Sequence, residues 1–130
     1  MDAEEESGRK RSAPDAVAGF PHIIAAAGYS LDGLGRLWRE TAFRHQVLAA
    51  GLLLPVYVAA HATPFEIVLF VMLAFLTFAF EALNTAIEEL TDRVSPDWSE
   101  TAKHAKDLGS LAVALSMMAH LVLLIWVVGF

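Results

Sequence analysis

Apolar residues fall in three long blocks separated by short polar breaks, from about Val47 to Ala60, Pro64 to Leu90 and Leu108 to Val128. A helix rises about 1.5 Å per residue, so the second and third blocks can each cross a hydrocarbon layer of about 30 Å. The first block is short and holds Pro55. It reaches across if its helix begins near Phe43 and neighbouring helices partner the carbonyl that Pro55 leaves free. All three blocks read as helices, because an open sheet edge in lipid would leave backbone groups unpaired. The expected spans are residues 43–61, 64–90 and 107–129. The second carries a helix-start signal, with Thr63 as N-cap, Pro64 at the first helical position and Glu66 in the first turn.

Ahead of the first span, Ile24, Leu31, Leu34 and Trp38 recur at helical spacing, while Asp32, Arg36 and Arg39 fall elsewhere. That pattern predicts an amphipathic helix at the membrane surface over about residues 21–40. Gly28, Gly33 and Gly35 work against it, and a plain juxtamembrane linker is the competing reading. Residues 1–19 are rich in Asp, Glu, Ser, Lys, Arg and Pro and read as a disordered tail ahead of one membrane domain over 20–130. No apolar stretch directly follows Arg9, Lys10 and Arg11, so a signal peptide is not expected.

Composition agrees with the block pattern: 56% of the residues are apolar, more than a water-soluble domain of 130 residues accommodates. There is no cysteine, which excludes disulfides and thiolate metal sites. The basic residues form no sustained patch, so nucleic acid is not an expected partner. Their distribution is informative in another way. Arg9, Lys10, Arg11, Arg36, Arg39 and Arg44 precede the first apolar block, and Arg93, Lys103 and Lys106 lie between the second and third. The break from His61 to Glu66 and the C-terminus have none. The positive-inside rule puts the N-terminus and the second loop in the cytoplasm and the C-terminus on the far side.

The polar residues that remain gather on that cytoplasmic side. Glu81, Asn84 and Glu88 are spaced i, i+3, i+7 and share one helix face. Glu81 directly follows a long apolar run, and an ionisable residue at that depth is a functional candidate. Its carboxylate suits a general base. Glu88, nearer water, suits a hard cation such as Mg2+, and Glu40 supplies a second carboxylate before the first span. The competing reading is a helix that surfaces among headgroups, which accounts well for Glu88, Glu89, Asp92 and Arg93 on their own. At the mouth of the third span, Lys106 can hold a phosphate as a point charge, with Asp107 supporting a nucleotide or orienting the lysine. A snorkelling lysine beside a helix-dipole aspartate fits those two residues equally. No Walker-type or kinase glycine-rich loop is present, so phosphoryl transfer would need an unrelated architecture. His120, inside the third span, reads as a packed histidine. His22, His45 and His104 show no metal-ligand spacing, and Trp38, Trp98 and Trp126 sit near span ends as interface anchors.

Three stretches together are similar to a known family. They are Ala26-Ala27-Gly28-Tyr29-Ser30 with Glu40-Thr41-Ala42-Phe43-Arg44; Glu81 through Glu88 and on to Asp92-Arg93; and Ala105-Lys106-Asp107-Leu108-Gly109-Ser110. E-x-x-N-x-x-x-E with A-K-D-x-G-S in a three-span chain resembles the prokaryotic diacylglycerol kinases, small membrane kinases that include undecaprenol kinases. The likeness runs from about Pro21 to Phe130.

The resemblance implies an all-α homotrimer in the bacterial inner (cytoplasmic) membrane, with sites shared between subunits, using ATP and Mg2+ to phosphorylate a lipid. It implies Glu81 as catalytic base and Glu40 and Glu88 as metal ligands. ATP contacts would come from His22, Tyr29, Glu40, Asn84, Glu88, Lys106 and Asp107. The lipid would meet Ser30, Trp38, Ala42, Phe43, Arg44, Glu81 and Ser110, along the stretch that runs to Gln46. The chain departs from the family pattern at His22, where arginine is usual, at Ala25, and at His45-Gln46. Diacylglycerol is the favoured acceptor, with undecaprenol as the alternative. A non-catalytic transporter or assembly subunit using Glu81 as a proton relay is the reading from another class.

Overall fold

The computed structural model describes residues 20–130, and the tail expected over 1–19 lies outside the described residues. Four helices follow one another: α1 (Phe20–Leu37), α2 (Thr41–Ala59), α3 (Pro64–Val94) and α4 (Glu100–Gly129). Among the described residues there is no strand. The last three helices are each long and apolar enough to cross a membrane.

The chain forms two units that part within α1, between Asp32 and Gly33. In the first, α1 runs without interruption through Gly28, and Ile23, Ile24 and Leu31 are exposed. In the second, α1 continues through Gly33 and Gly35 and ends at a turn over Trp38 and Arg39, and Glu40 is the N-cap of α2. Pro55 sits inside α2, which remains a single helix.

Local chemistry explains the α2–α3 corner. His61 has φ 56, and its N–H and that of Ala62 return to the carbonyls of Val58 and Tyr57. This is a left-handed helix stop, with histidine where glycine is the usual occupant. Thr63 and Glu66 then close a reciprocal capping box at the start of α3, with Thr63 N–H donating to Glu66 Oε2 at 2.7 Å. Glu66 Oε1 also accepts from Trp126 Nε1 at 3.0 Å, tying the end of α4 to the start of α3.

The principal packing is α3 against α4, with α2 laid against both. Tyr57, Phe70, Leu123 and Val127 form the apolar core at one end. Along α3 the buried positions are Phe70, Ala74, Thr77, Glu81, Asn84 and Thr85, one helix face that changes from apolar to polar. On α4 they are Gly109, Val113, Ser116, Leu123 and Val127. Most large apolar side chains elsewhere on α2, α3 and α4 are exposed, the arrangement expected when the solvent is lipid. At 31 and 30 residues, α3 and α4 are about 45 Å long and overrun a 30 Å hydrocarbon core. A core that begins at Pro64 ends about 20 residues along, near Leu83. A core placed that way would have Glu81 at its boundary and the rest of the polar face beyond it. The α4 helix starts at Glu100, ahead of the apolar block that begins near Leu108, so Lys103, Lys106 and Asp107 are helical.

Candidate active site

The site is built on the polar end of the inner face of α3. Glu81 retains 5% of its exposure, little enough that its carboxylate depends on protein partners. Gln46 of α2 provides one, donating from Nε2 to Glu81 Oε2 at 2.7 Å. One turn on, Asn84 Nδ2 donates to Glu88 Oε1 at 3.0 Å. Asn84 Oδ1 is buried without a partner and lies against Gly109 of α4. A Cβ at position 109 would overlap Oδ1 and stand 3.3 Å from Cγ. The glycine thus lets α4 approach close enough to bury the amide.

Glu40 joins this end of the bundle through Arg36. The guanidinium donates to Glu40 Oε1 at 2.6 Å and also bonds Glu89 Oε1. These bonds, to Glu40 first and to Glu89, hold the Arg36 pKa above its ordinary value. The cation is permanent and orders two carboxylates, one at the start of α2 and one on α3. Lys106 of α4 pairs with Asp92 of α3. Asp107 turns instead to Lys103, at 2.5 Å, so it does not orient the lysine beside it. Lys106 and Asp107 both line an open polar hollow of about 430 Å³ with Asp92, Ser95 and Ser99.

The other candidates are placed as follows. Phe43 is buried, with its ring 5.2 Å from Phe78 and 6.0 Å from exposed Trp38. Ala42, Arg44 and Ser110 are exposed, and Arg44 bonds Thr41 Oγ1 at 3.1 Å. In the first unit His22, Tyr29 and Ser30 are exposed on α1, and Ser30 donates to the Ala26 carbonyl.

Among the described residues, no three histidine, aspartate or glutamate side chains converge as a ready-made metal cluster. The donor chemistry nonetheless fits Mg2+, which retains waters and takes one or two carboxylates together with substrate phosphates. Glu40 and Glu88 are hard oxygen donors, and Asn84 Nδ2 holds Glu88 in place by its hydrogen bond.

Sequence reading placed Gln46 only at the end of a lipid-lining stretch and gave Gly109, Arg36 and Asp92 no specific part. Gly109 did carry a signal. Glycine within a helical run costs about 1 kcal/mol relative to alanine, and close approach of another element is a reason to keep it. The Arg36–Glu89 and Asp92–Lys106 pairs had none, because their members are far apart in the chain.

Comparison with known proteins decides the family. Residues 28–128 match the family described as "Prokaryotic diacylglycerol kinase". The chain belongs to the prokaryotic diacylglycerol kinase family. It is 47% identical over 112 residues to a diacylglycerol kinase of Sinorhizobium sp, covering 86% of this chain and 82% of that protein. It is 40% identical over 103 residues to the diacylglycerol kinase of Pseudomonas aeruginosa, covering 77% and 84%. It is 35% identical over 114 residues to that of Escherichia coli strain K12, covering 85% and 93%. For this member of the prokaryotic diacylglycerol kinases, the matched residues take in the Glu81–Glu88 face, Gln46, Gly109 and Lys106 together.

Proposed function

We propose that this chain is a lipid kinase that transfers the γ-phosphoryl group of ATP to diacylglycerol, giving phosphatidic acid, with Mg2+ as the metal. The observation that carries the reading is Glu81: a buried carboxylate directly after a long apolar run, held by Gln46. The family membership and the names of the relatives above support it.

Glu81 acts as the base. It takes the proton of the acceptor hydroxyl as that oxygen bonds the γ-phosphorus and the bond from phosphorus to the bridging β–γ oxygen breaks, releasing ADP. Gln46 holds the carboxylate in one orientation, and burial beside lipid keeps water from competing as acceptor. Glu40 and Glu88 hold the metal, and Asn84 fixes Glu88. A Mg2+ ion held by these two carboxylates would neutralise charge on the phosphates. Lys106 binds the γ-phosphate from the polar hollow at the α3–α4 loop and exchanges Asp92 for phosphate when ATP arrives. Asp107, together with His22 and Tyr29, contacts the nucleotide. Ser30, Trp38, Ala42, Phe43, Arg44 and Ser110 border the lipid at the headgroup plane.

The kinase works as a homotrimer in the bacterial inner membrane. Its N-terminus is cytoplasmic and its C-terminus is on the far side, a reading that the positions of Lys and Arg support. This orientation presents Glu40, Glu88 and Lys106 to ATP. The test is label transfer from γ-labelled ATP to lipid in detergent micelles, with diacylglycerol and undecaprenol side by side. Phosphatidic acid is the expected product. Label on undecaprenol alone would change the acceptor, and no label on any lipid would remove the kinase reading.

A further inference from the structure

The end of the helices opposite the Glu81–Glu88 face carries a groove that the kinase reading leaves unused. It lies between the start of α3 and the end of α4 and has a volume of about 710 Å³. Leu69 and Leu73 of α3 and Ala119 and Val122 of α4 line its apolar length, and Glu66 and Trp126 stand at its mouth. The two helices run antiparallel, since Trp126 bonds Glu66 at this end and Gly109 meets Asn84 at the other. Leu73 and Ala119 therefore mark the deep end. Each is seven residues from the mouth along its own helix, about 10 Å. Val122 and Trp126 are mostly exposed, so the groove opens outward to lipid.

The mouth has one charge and no counter-charge. Glu66 Oε2 accepts from the Thr63 N–H and hydroxyl at 2.7 and 2.8 Å, and Oε1 accepts only from Trp126 Nε1. A carboxylate oxygen has room for a second donor, so Oε1 keeps one position open. The dipole of α3 offsets about half a charge at its start. The ion pairs among the described residues all lie elsewhere, and none includes Glu66. The chain has no Lys or Arg from His45 to Asp92 or from Asp107 to Phe130. A second copy lying parallel in the same membrane thus brings no Lys or Arg to the level of Glu66. The missing cation has to come from another molecule at the membrane interface, where the Trp126 indole is at home.

We infer that this groove binds a phospholipid whose headgroup carries a primary ammonium, with the ammonium donating to Glu66 Oε1 and one acyl chain lying along Leu69, Leu73 and Val122. A charge-assisted bond from N–H to carboxylate selects the headgroup, and the apolar walls take the chain without regard to its headgroup. A glycerol headgroup brings a net negative charge toward Glu66 and is disfavoured. The site lies at the opposite end of α3 from the phosphoryl-transfer face and does not rest on the kinase reading.

The test uses the full chain in mixed micelles without ATP, a phosphatidylethanolamine with a diazirine on one acyl chain as photoprobe, and peptide mass spectrometry. Adducts concentrate on Leu69, Leu73 and Val122. Excess unlabelled phosphatidylethanolamine lowers them at least threefold, and phosphatidylglycerol with the same chains leaves them nearly unchanged. Glu66→Gln removes the charge but keeps a side chain that can close the capping box, so α3 retains its start. It lowers labelling at least threefold. Ala119→Leu, which fills the deep end without touching Glu66, lowers labelling by a similar factor. Equal protection by the two phospholipids would overturn the proposal by showing a groove without headgroup selection. So would parental labelling of Glu66→Gln. Adducts no denser in the groove than at lipid-facing Leu48 and Met72, as when a second copy covers it, would also overturn it. No phosphoryl transfer is read, so this experiment and the kinase assay can fail independently.

Discussion

Gly109 lies against Asn84 so closely that a single added carbon would overlap the amide oxygen. The contact sets how deeply α4 packs onto the polar face of α3, and Asn84 in turn holds Glu88. Gly109→Ala therefore pushes Asn84 off Glu88. Overpacking of this kind costs about 1–3 kcal/mol. The expected result is at least a tenfold fall in turnover and a lower unfolding temperature. The two positions act through one contact, so Gly109→Ala adds little to the loss already caused by Asn84→Ala. A double-mutant cycle on lipid phosphorylation measures this, and fully additive losses would count against the coupling.

Gln46 tests the orientation of the base. A hydrogen bond to a charged group contributes about 1.5–3 kcal/mol. Gln46→Leu removes the bond between Nε2 and Glu81 while retaining bulk. Turnover should fall about ten- to a hundredfold, with the KM for ATP unchanged, in steady-state assays that vary each substrate. A changed KM for ATP at constant turnover would place Gln46 with the nucleotide instead.

Arg36 bridges Glu40 and Glu89 from the solvent side, and exposed ion pairs contribute little to stability. Arg36→Gln should thus leave the thermal midpoint close to that of the parent. It also frees the Glu40 carboxylate to adopt other rotamers, which must be ordered again when metal and ATP bind. The Mg2+ concentration that gives half-maximal activity should rise several-fold. A Mg2+ titration of both proteins checks this, and identical curves would detach Arg36 from the metal ligands.

The three apolar helices were legible because hydropathy along one chain reports each span without its neighbours, and the start of α3 was legible because Thr63, Pro64 and Glu66 are adjacent. What joins one helix to the next was not. Gln46 meets Glu81, Arg36 meets Glu89 and Asp92 meets Lys106 through the rotation and register of packed helices, which no local spacing encodes. Adjacency misleads in the same way at Asp107. A helix turns about 100° per residue, so its carboxylate faces Lys103 four positions back and not Lys106 beside it. The helix ahead of the first span was legible too: Gly28, Gly33 and Gly35 lower helix propensity but do not interrupt α1.

His61 allows a prediction that leaves chemistry untouched. It holds φ 56, a conformation that costs an L-residue about 1–2 kcal/mol and glycine nothing comparable. His61→Gly should stabilise the protein by about 1 kcal/mol without changing activity. A chemical unfolding curve in detergent reads the shift, and destabilisation would mean that the imidazole makes a contact of its own.

The most direct test of the central claim is Glu81→Gln. The amide has the size of the carboxylate and cannot take the acceptor proton. Purified, helical E81Q should transfer no measurable label from ATP to diacylglycerol under conditions in which the parent chain turns over, and near-parental label transfer would contradict Glu81 as the base.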